Sequence, residues 1–397
     1  QARLDYITRI TEQSSNTYIL ENGMRVAVKR SELIEYFKYI IVAIRKDRWV
    51  ANLFYRLADK NTRNGIQIFE DFCKSGHMKE KDILAMRVLG DDAQIPAYRF
   101  ENVLLRKNRR FYNGDESNFV NLFASDYNDD FPDPFVRADI LNWLYQVQAL
   151  SGPTGDKGLF QVSELARSLQ VYGHSLAVIY RELAYLARKN LVLCENSAMP
   201  IEEGDLVKIT IPGALHLQML RNVSYLSACA EDTLFKNTEV MTRISNRLKF
   251  HESDSKLVVA LNARDLVNYL IEYRKEYLTN SDELVSEKAI ISSVDLNDSL
   301  HAVEQWIQAD ENLKKTISEI DYFTVDMDVD ACVVSKNSGG VVCTIADKDV
   351  KGFISSLEPK YSFPHDVYSK IKPGDILKCK VMEFDFTHRS FQLKYLN

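Results

Sequence analysis

Apolar and polar residues alternate along the C-terminal part of the chain, residues 322–397, in a pattern that favours strands over helices. The alternation is clear at Val325–Val329 and again at Val341–Ile345, and the Gly339-Gly340 pair between these runs is suited to a turn. A period of two buries one face of a strand and leaves the other in water. Five short runs of this kind in about 75 residues predict five strands that form a small barrel.

Residues 136–221 contain a second recognisable order of predicted elements. Two helices and a turn at Gly173 precede a longer helix, Ser175–Lys189, and two apolar strands follow it at Leu191–Cys194 and Leu206–Ile211. Helix, helix, turn, helix, strand, loop and strand is the order of a winged helix. We therefore predict a winged helix in this region, with the longer helix as its recognition helix.

Basic residues on that helix are candidates for contact with DNA, namely Arg181, Arg188 and Lys189. A recognition helix places such side chains in the major groove. The alternative is that the helix packs only against its neighbours and that its arginines pair with nearby acids such as Glu182. The sequence alone is compatible with both interpretations.

The composition limits what the chain can bind. With 397 residues, the chain is too long for one ordinary hydrophobic core. Its net charge of −6 is unlike that of a dedicated duplex-DNA binder, which needs an excess of basic residues to contact phosphates. Any nucleic-acid site must therefore be a local patch.

Cysteine and histidine usage gives no sign of a metal or redox site. The six cysteines form no C-x-x-C pair and predict free thiols in a reducing compartment. The seven histidines are dispersed, and none has the spacing of a metal site. The sequence has no apolar run long enough to cross a membrane and no signal peptide, so we predict a cytoplasmic protein. It begins Gln-Ala-Arg, without methionine, which suggests that an N-terminal part is missing.

Apolar residues recur at helical spacing through most of the chain before residue 322, which predicts a mainly α, multidomain protein. We divide the chain into five regions. They are a helical region at 1–90, an irregular linker region at 91–135, a winged helix at 136–221, a helical connector at 222–321 and a barrel at 322–397.

The barrel sequence resembles the OB-fold RNA-binding repeat first seen in ribosomal protein S-one. The resemblance is carried by the turn 372–375, Lys-Pro-Gly-Asp, before an apolar strand, and by the closing run 389–393, Arg-Ser-Phe-Gln-Leu. It implies that aromatic and basic side chains on one barrel face stack bases and contact phosphates. By position, the candidate contact residues are Lys351, Phe353, Lys378, Lys380 and Arg389.

Two other interpretations of the barrel remain open. Residues 324–397 contain ten basic and ten acidic side chains, so the barrel is not a strongly positive channel. A barrel with this balance can also dock a protein partner, or it can be purely structural. RNA or single-stranded DNA, a protein partner and a second copy of the chain are therefore all candidate partners.

Residues 50–250 resemble the lid end of STAND or AAA-like P-loop ATPases. The resemblance is carried by 61–65, Asn-Thr-Arg-Asn-Gly, and by 72–77, Phe-Cys-Lys-Ser-Gly-His. It implies that region 1–90 contains ATPase-lid helices and that Arg63 is a sensor that reaches the γ-phosphate of a bound nucleotide. The alternative is that Arg63 is a solvated residue on a helix face.

The chain lacks the motifs of a nucleotide-binding core. It has no G-x-x-x-x-G-K-[ST] sequence and no apolar strand that ends in paired acids. We therefore predict no catalysis by this chain alone, and ATP and Mg²⁺ only if an N-terminal ATPase core precedes it. The resemblance implies a regulatory, nucleic-acid- or partner-sensing part of such an ATPase, in bacterial signalling or antiviral defence. A protein-interaction scaffold and a transcription regulator without an ATPase are the alternatives.

Overall fold

The structure is a computed structural model that divides into two compact units. It describes residues 15–19, 25–77, 88, 97–126, 133–196, 200–250, 255–277, 283–285, 290–345, 350–357, 365–386 and 388–396. The first unit comprises Gln1–Lys236 and Asp265–Leu300, and the second comprises Asn237–Arg264 and His301–Asn397. The predicted connector, 222–321, therefore contributes to both units, and the finer division into five regions stays a prediction.

The first unit is mainly helical. Its helices are α1 (Arg30–Lys46), α2 (Arg48–Ala58), α3 (Thr62–Lys74), α4 (Ala97–Arg106), α5 (Val136–Val147), α6 (Val162–Val171), α7 (Leu176–Arg188), α8 (Ile211–Met219) and α9 (Val223–Asp232). Side chains cap several of them, because Asp47, Asn61, Thr210 and Asn222 accept hydrogen bonds from the first free N–H groups of α2, α3, α8 and α9.

Three short antiparallel strands accompany helices α5 to α7. They are β3 (Phe160–Gln161), β4 (Val192–Cys194) and β5 (Leu206–Ile209). Strand β5 lies between β3 and β4 in the sheet, and helices α6 and α7 separate β3 from β4 along the chain. Two separate hairpins, β1 (Ser15–Ile19) with β2 (Arg25–Lys29) and β6 (Glu283–Val285) with β7 (Ile290–Ser292), complete the described strands outside the barrel.

Much of the irregular segment 112–123 is buried, above all residues 119–123, and side chains of α8 and α9 satisfy part of its backbone. The Nε2 atom of His216 accepts a hydrogen bond from the N–H of Val120 at 2.9 Å. The Tyr225 hydroxyl donates to the carbonyl of Val120 at 2.7 Å and accepts from the N–H of Leu122 at 3.2 Å. Burial lowers the pKa of His216 to about 4, so its ring is neutral at pH 7 and Nε2 can accept. The segment is therefore a fixed part of the core rather than a loose linker.

The second unit combines helices with the barrel. Helices α10 (Thr238–Phe250), α13 (Glu311–Tyr322) and α14 (His365–Lys370) belong to it, and α11 (Lys256–Tyr277) and α12 (Leu296–Gln308) contribute residues to both units. The guanidinium of Arg264 donates to both carboxylate oxygens of Asp321 at 2.7 Å, which ties α11 to α13. No helix in the described part of the chain combines the length and the apolar character that membrane crossing requires.

The five predicted barrel strands are confirmed. They are β8 (Asp328–Asn337), β9 (Gly340–Ile345), β10 (Val350–Ser355), β11 (Ile376–Asp385) and β12 (Ser390–Tyr395), and they form a closed barrel. Strand β8 pairs with both β9 and β11, and β10 pairs antiparallel with β9 and parallel with β12. This connectivity is that of an OB fold.

Alternate residues of the strands fill the barrel. Its buried core includes Ala331, Val333, Val341, Cys343, Ile345, Ile354, Cys379, Val381, Phe391 and Leu393. Phe323, just after α13, joins this core with its ring centroid 5.1 Å from that of Phe391. The alternation that predicted the strands therefore also fixes which side chains point outward.

Candidate nucleic-acid interface

The outer face of β9, β10 and β12 brings together an aromatic, a cationic and an amide side chain. Lys351 is exposed, and Phe353 and Gln392 are half-buried, while their neighbours along each strand point into the core. Phe353 lies opposite Val342 on β9 and opposite Gln392 on β12, and Lys351 lies opposite Thr344 on β9. We refer to Val342, Thr344, Lys351, Phe353 and Gln392 as the β9–β10–β12 face.

Gly340 makes room for the ring of Phe353. A Cβ atom at Gly340 would lie only 2.7 Å from Cζ of that ring, and closer still to the backbone oxygen of Ile354. Glycine is therefore the residue that fits where β9 begins, because any side chain there would displace the ring or the strand. The ring of Phe353 is held at the β8–β9 turn, at one end of the face.

The loop between β11 and β12 supplies a second cation. Arg389 is exposed and adopts a left-handed backbone conformation with φ 49°. Asp385 orders the loop, since its carboxylate accepts from the backbone N–H of His388 at 3.1 Å and from the His388 ring Nδ1 at 2.8 Å. Because β10 and β12 are parallel and Gly352 lies opposite Phe391, Arg389 and Lys351 lie at the same end of the barrel.

The other two predicted contact residues of the barrel, Lys378 and Lys380, lie where β11 pairs with β8. Lys378 lies opposite Asp330, and Lys380 lies opposite Asp328, across the β11–β8 ladder. The Nζ atom of Lys380 is 3.9 Å from Oδ1 of Asp328 and 4.0 Å from Oδ1 of Asp326. Acidic side chains therefore surround these lysines, and the structure separates them from the β9–β10–β12 face.

The side chains predicted on the long helix, α7, face an acidic segment of the same unit. The Lys189 ammonium donates to the carbonyl of Asp115, and the Tyr185 hydroxyl donates to its carboxylate at 2.7 Å. Arg181 donates to Glu182 at 2.9 Å and lies 3.9 Å from Asp126. These contacts occupy much of the helix face that would approach DNA.

Of the three predicted DNA contacts on α7, Arg188 is left, and a residue of α5 also packs on this helix. Arg188 is exposed at the C-terminal end of α7. Arg137 of α5 stacks on the Tyr185 ring at 3.9 Å and donates to Glu182 at 2.6 Å. A cation on an aromatic ring beside a carboxylate is a packed arrangement that adds to the contacts of the helix with its neighbours.

Arg63 is exposed in the first turn of α3. Asn61 caps this helix and accepts the backbone N–H of Arg63 at 2.9 Å, so the position of the residue is set by the cap. The sensor role stays a prediction. In the part of the chain that the structure describes, no group of three or more His, Cys, Asp or Glu side chains could hold a metal ion.

The sequence did not single out two polar residues of the interface, Gln392 and His388. Gln392 stands between the buried residues Phe391 and Leu393, so alternation alone predicts that it points outward. Its closeness to Phe353 depends on the parallel pairing of β10 with β12, for which the sequence carries no signal. His388 belongs to the turn that Asp385 caps, and its hydrogen bond to the Asp385 carboxylate holds that carboxylate in place.

Comparison with known proteins leaves the family of the chain open. No protein-family model matches the chain, and no curated protein matches it either. Solved structures that are similar to it include the apo form of Mycoplasma genitalium RNase R and the same enzyme in complex with ribose-methylated single-stranded RNA. Their sequence identities are 11% and 12%, and the TM-score is 0.18 for each.

These alignments cover 66% of this chain and 40% of the RNase R chain. The chain thus spans well under half of the length of those structures. A similarity at this TM-score does not establish a shared fold. The assignment of the barrel therefore rests on its own strand pairing.

Proposed function

We propose that the chain binds single-stranded nucleic acid, RNA foremost, through the β9–β10–β12 face and the adjoining β11–β12 loop. The observation that carries the proposal is that Phe353 and the exposed Lys351 share the outer face of β10 in a closed barrel, with the exposed Arg389 at the same end of the barrel as Lys351. OB folds bind single strands by stacking bases on aromatic rings and by holding phosphates with basic side chains. Both elements are present on this face.

The spacing along β10 suits a nucleotide chain. Lys351 and Phe353 are two residues apart and point to the same side, which separates them by about 7 Å along the strand. A base stacked on Phe353 therefore leaves a neighbouring phosphate within reach of Lys351. Arg389, at the same end of the barrel as Lys351, would hold the next phosphate.

Binding through this face should depend on stacking and on two phosphate contacts. Replacing Phe353 by alanine should weaken the binding of an oligonucleotide by about 1–3 kcal/mol, the usual contribution of one stacked base. Replacing Lys351 and Arg389 together by glutamine should reduce the slope of log K against log salt by about 1.4, since each phosphate contact contributes about 0.7. Filter binding of RNA, single-stranded DNA and duplex DNA at several salt concentrations measures both effects.

A matched control removes the same charge from the β8–β11 side of the barrel. The double variant Lys378→Gln with Lys380→Gln should leave binding and its salt slope nearly unchanged, because Asp326, Asp328 and Asp330 surround these lysines. An equal loss in both double variants would place the site elsewhere on the barrel. No retention of any nucleic acid by the unaltered chain would remove the proposal altogether. Circular dichroism of each variant verifies that the barrel is intact.

A protein-docking barrel is the second candidate, and the β8–β11 side supports it. Val334 and Ile376 are 54% and 68% exposed there, and Ile376 lies opposite the half-buried Cys332. Protein interfaces have an apolar centre and a polar rim, and exposed apolar side chains with polar neighbours fit that arrangement. If this is the function, substitution of Ile376 by a charged residue abolishes partner binding while the Phe353 variant binds the partner normally.

The proposal extends to the role of the first unit. The order α5, β3, α6, α7, β4, β5, with β5 in the middle of the sheet, supports a winged helix at 136–221. The exposure of Arg63 on α3 leaves its side chain accessible to a nucleotide held by an ATPase core. The chain would then be the regulatory part of a P-loop ATPase in bacterial signalling or antiviral defence, with ATP and Mg²⁺ in that core. Ligand binding would shift the population between packed arrangements.

A further inference from the structure

Gln392 is placed to meet the edge of a base that stacks on Phe353. Its side chain points to the outer face of β12, between the inward-pointing side chains of Phe391 and Leu393. In the parallel ladder it lies directly opposite Phe353, and paired strands are about 4.8 Å apart. A base is wider than this spacing, so a base on the Phe353 ring extends to Gln392.

A carboxylate fixes the orientation of the Gln392 amide. The Nε2 atom of Gln392 donates to Oδ2 of Asp385 at 3.3 Å. An ionised carboxylate only accepts hydrogen bonds, so the amide nitrogen must face Asp385 and the amide oxygen must turn away from it. Asp385 is itself held by two hydrogen bonds from His388. The amide oxygen of Gln392 is therefore left to accept a hydrogen bond from a base on the outer face.

The surroundings of Gln392 add further acceptors. Glu383 of β11 lies directly opposite Gln392 and is exposed. Together with Asp385, it makes the base-edge side of the site rich in oxygen acceptors. Cytosine and adenine carry an exocyclic amino group, which donates, where uracil carries a carbonyl, which accepts. An acceptor placed at this exocyclic group attracts the amino group and repels the carbonyl, whereas an acceptor placed at N3 would favour the N3–H of uracil.

We propose that Gln392 is a specificity-determining residue that makes the β9–β10–β12 face prefer cytosine and adenine over uracil, with Asp385 as its positioning residue. This inference rests on the proposed function, since it concerns which single strands the same face selects. It assigns base discrimination to two residues that carry no positive charge. Lys351 and Arg389 would act alike on all sequences, because they contact the backbone of the nucleic acid.

Oligocytidylate and oligouridylate of equal length provide the sharpest test. Their bases are of similar size and differ at two adjacent ring positions: cytosine has an amino group and an N3 atom that accepts, where uracil has a carbonyl and an N3–H that donates. The unaltered chain should bind oligocytidylate about three- to tenfold more tightly, the ratio expected for one hydrogen bond gained. Gln392→Ala should bring this ratio close to one. Asp385→Asn should also lower it, because an asparagine amide both donates and accepts and lets the Gln392 amide turn over.

Lys394→Ala is the matched control, since Lys394 is the next outward residue of β12 and is exposed. It should leave the ratio of the two affinities unchanged, because Lys394 does not lie opposite Phe353. Equal binding of the two oligomers by the unaltered chain, or a ratio that survives Gln392→Ala, overturns the inference and leaves the proposed function standing. Failure of the unaltered chain to bind either oligomer overturns both. Asparagine also caps turns of this type, so Asp385→Asn keeps the loop folded.

Discussion

Replacing Glu231 by alanine is expected to lower the free energy of unfolding of the first unit by about 3–5 kcal/mol, the usual cost of leaving one buried charge without its partner. Glu231 forms an ion pair with Arg106, and their side chains are 1% and 2% exposed. Its carboxylate also accepts the backbone N–H of Tyr112 at 2.7 Å. Burial raises the pKa of Glu231, and Arg106 opposes this rise. The ion pair with Arg106 is therefore the main interaction that offsets the cost of burying the Glu231 carboxylate.

The ion pair between Arg109 and Glu116 is a suitable control, because both side chains are about half exposed at 46% and 57%. Water screens such a pair, and Glu116→Ala should cost no more than about 1 kcal/mol. Urea unfolding followed by circular dichroism gives both values. A loss in Glu231→Ala as small as that in Glu116→Ala would show that the buried pair adds little to the stability of this unit.

The ion pair of Glu231 also shows what the sequence could not supply. Arg106 belongs to a cluster of basic residues with Lys107, Arg109 and Arg110, and nothing in this run of the sequence distinguishes Arg106 from the other three. In the structure, Arg106 is buried against a residue 125 positions away, and Lys107 lies 3.4 Å from Asp71. Charge runs in a sequence reveal the residue types, whereas their partners depend on contacts between distant segments.

The barrel was predictable because its signals are local. Alternation with a period of two marks the strand-rich region, although the run at Val325–Val329 overlaps only the first two residues of β8, and Gly339-Gly340 and the 372–375 turn mark where strands are interrupted. The candidate site was predictable only in part, because barrel closure decides which outward residues are neighbours. Lys380 and Phe353 are both outward on their strands, but closure places Lys380 beside Asp328 and Phe353 beside Gln392.

Helix α7 shows the same difference between a local signal, which the sequence carries, and a contact between distant segments, which it does not. Its amphipathic pattern predicted a helix with Arg181 and Lys189 near the outward face, and the helix is present. The residue that contacts Lys189, Asp115, lies 74 positions earlier in an irregular segment without periodicity. Backbone N–H groups of that segment donate buried hydrogen bonds to His216 and Tyr225, and these bonds also follow from tertiary contacts rather than from local propensity.

Stability of the first unit is expected to fall by about 3 kcal/mol as the pH rises from 6.5 to above 9, because His174 loses its charge. The His174 ring lies between two carboxylates: Nδ1 contacts Asp133, and Nε2 is 3.0 Å from Asp139. Both ring nitrogens must carry protons to donate to these acceptors. Burial alone would lower the pKa of His174, but Asp133 and Asp139 outweigh it and raise this pKa to about 9.

The sign of the effect follows from the direction of the shift. In the unfolded chain the His174 pKa is near 6.5, so below that pH both states are charged and the stabilisation is fully present. Between 6.5 and about 9 only the folded state holds the proton, and the contribution disappears as the pH passes the folded value. Burial would raise the pKa of Asp139, but Arg274 and His174 lower it, so its own contribution is lost only in acid.

Other groups titrate in the alkaline range, so the prediction concerns the difference between the unaltered chain and His174→Gln. Glutamine keeps a polar side chain between Asp133 and Asp139 but cannot gain or lose a proton. The difference in free energy of unfolding between the two proteins, from urea unfolding at a series of pH values, should be largest near pH 6 and should shrink by about 3 kcal/mol above pH 9. A difference that stays constant across this range would mean that folding does not shift the pKa of His174, and the contacts with Asp133 and Asp139 would then add no pH-dependent stability.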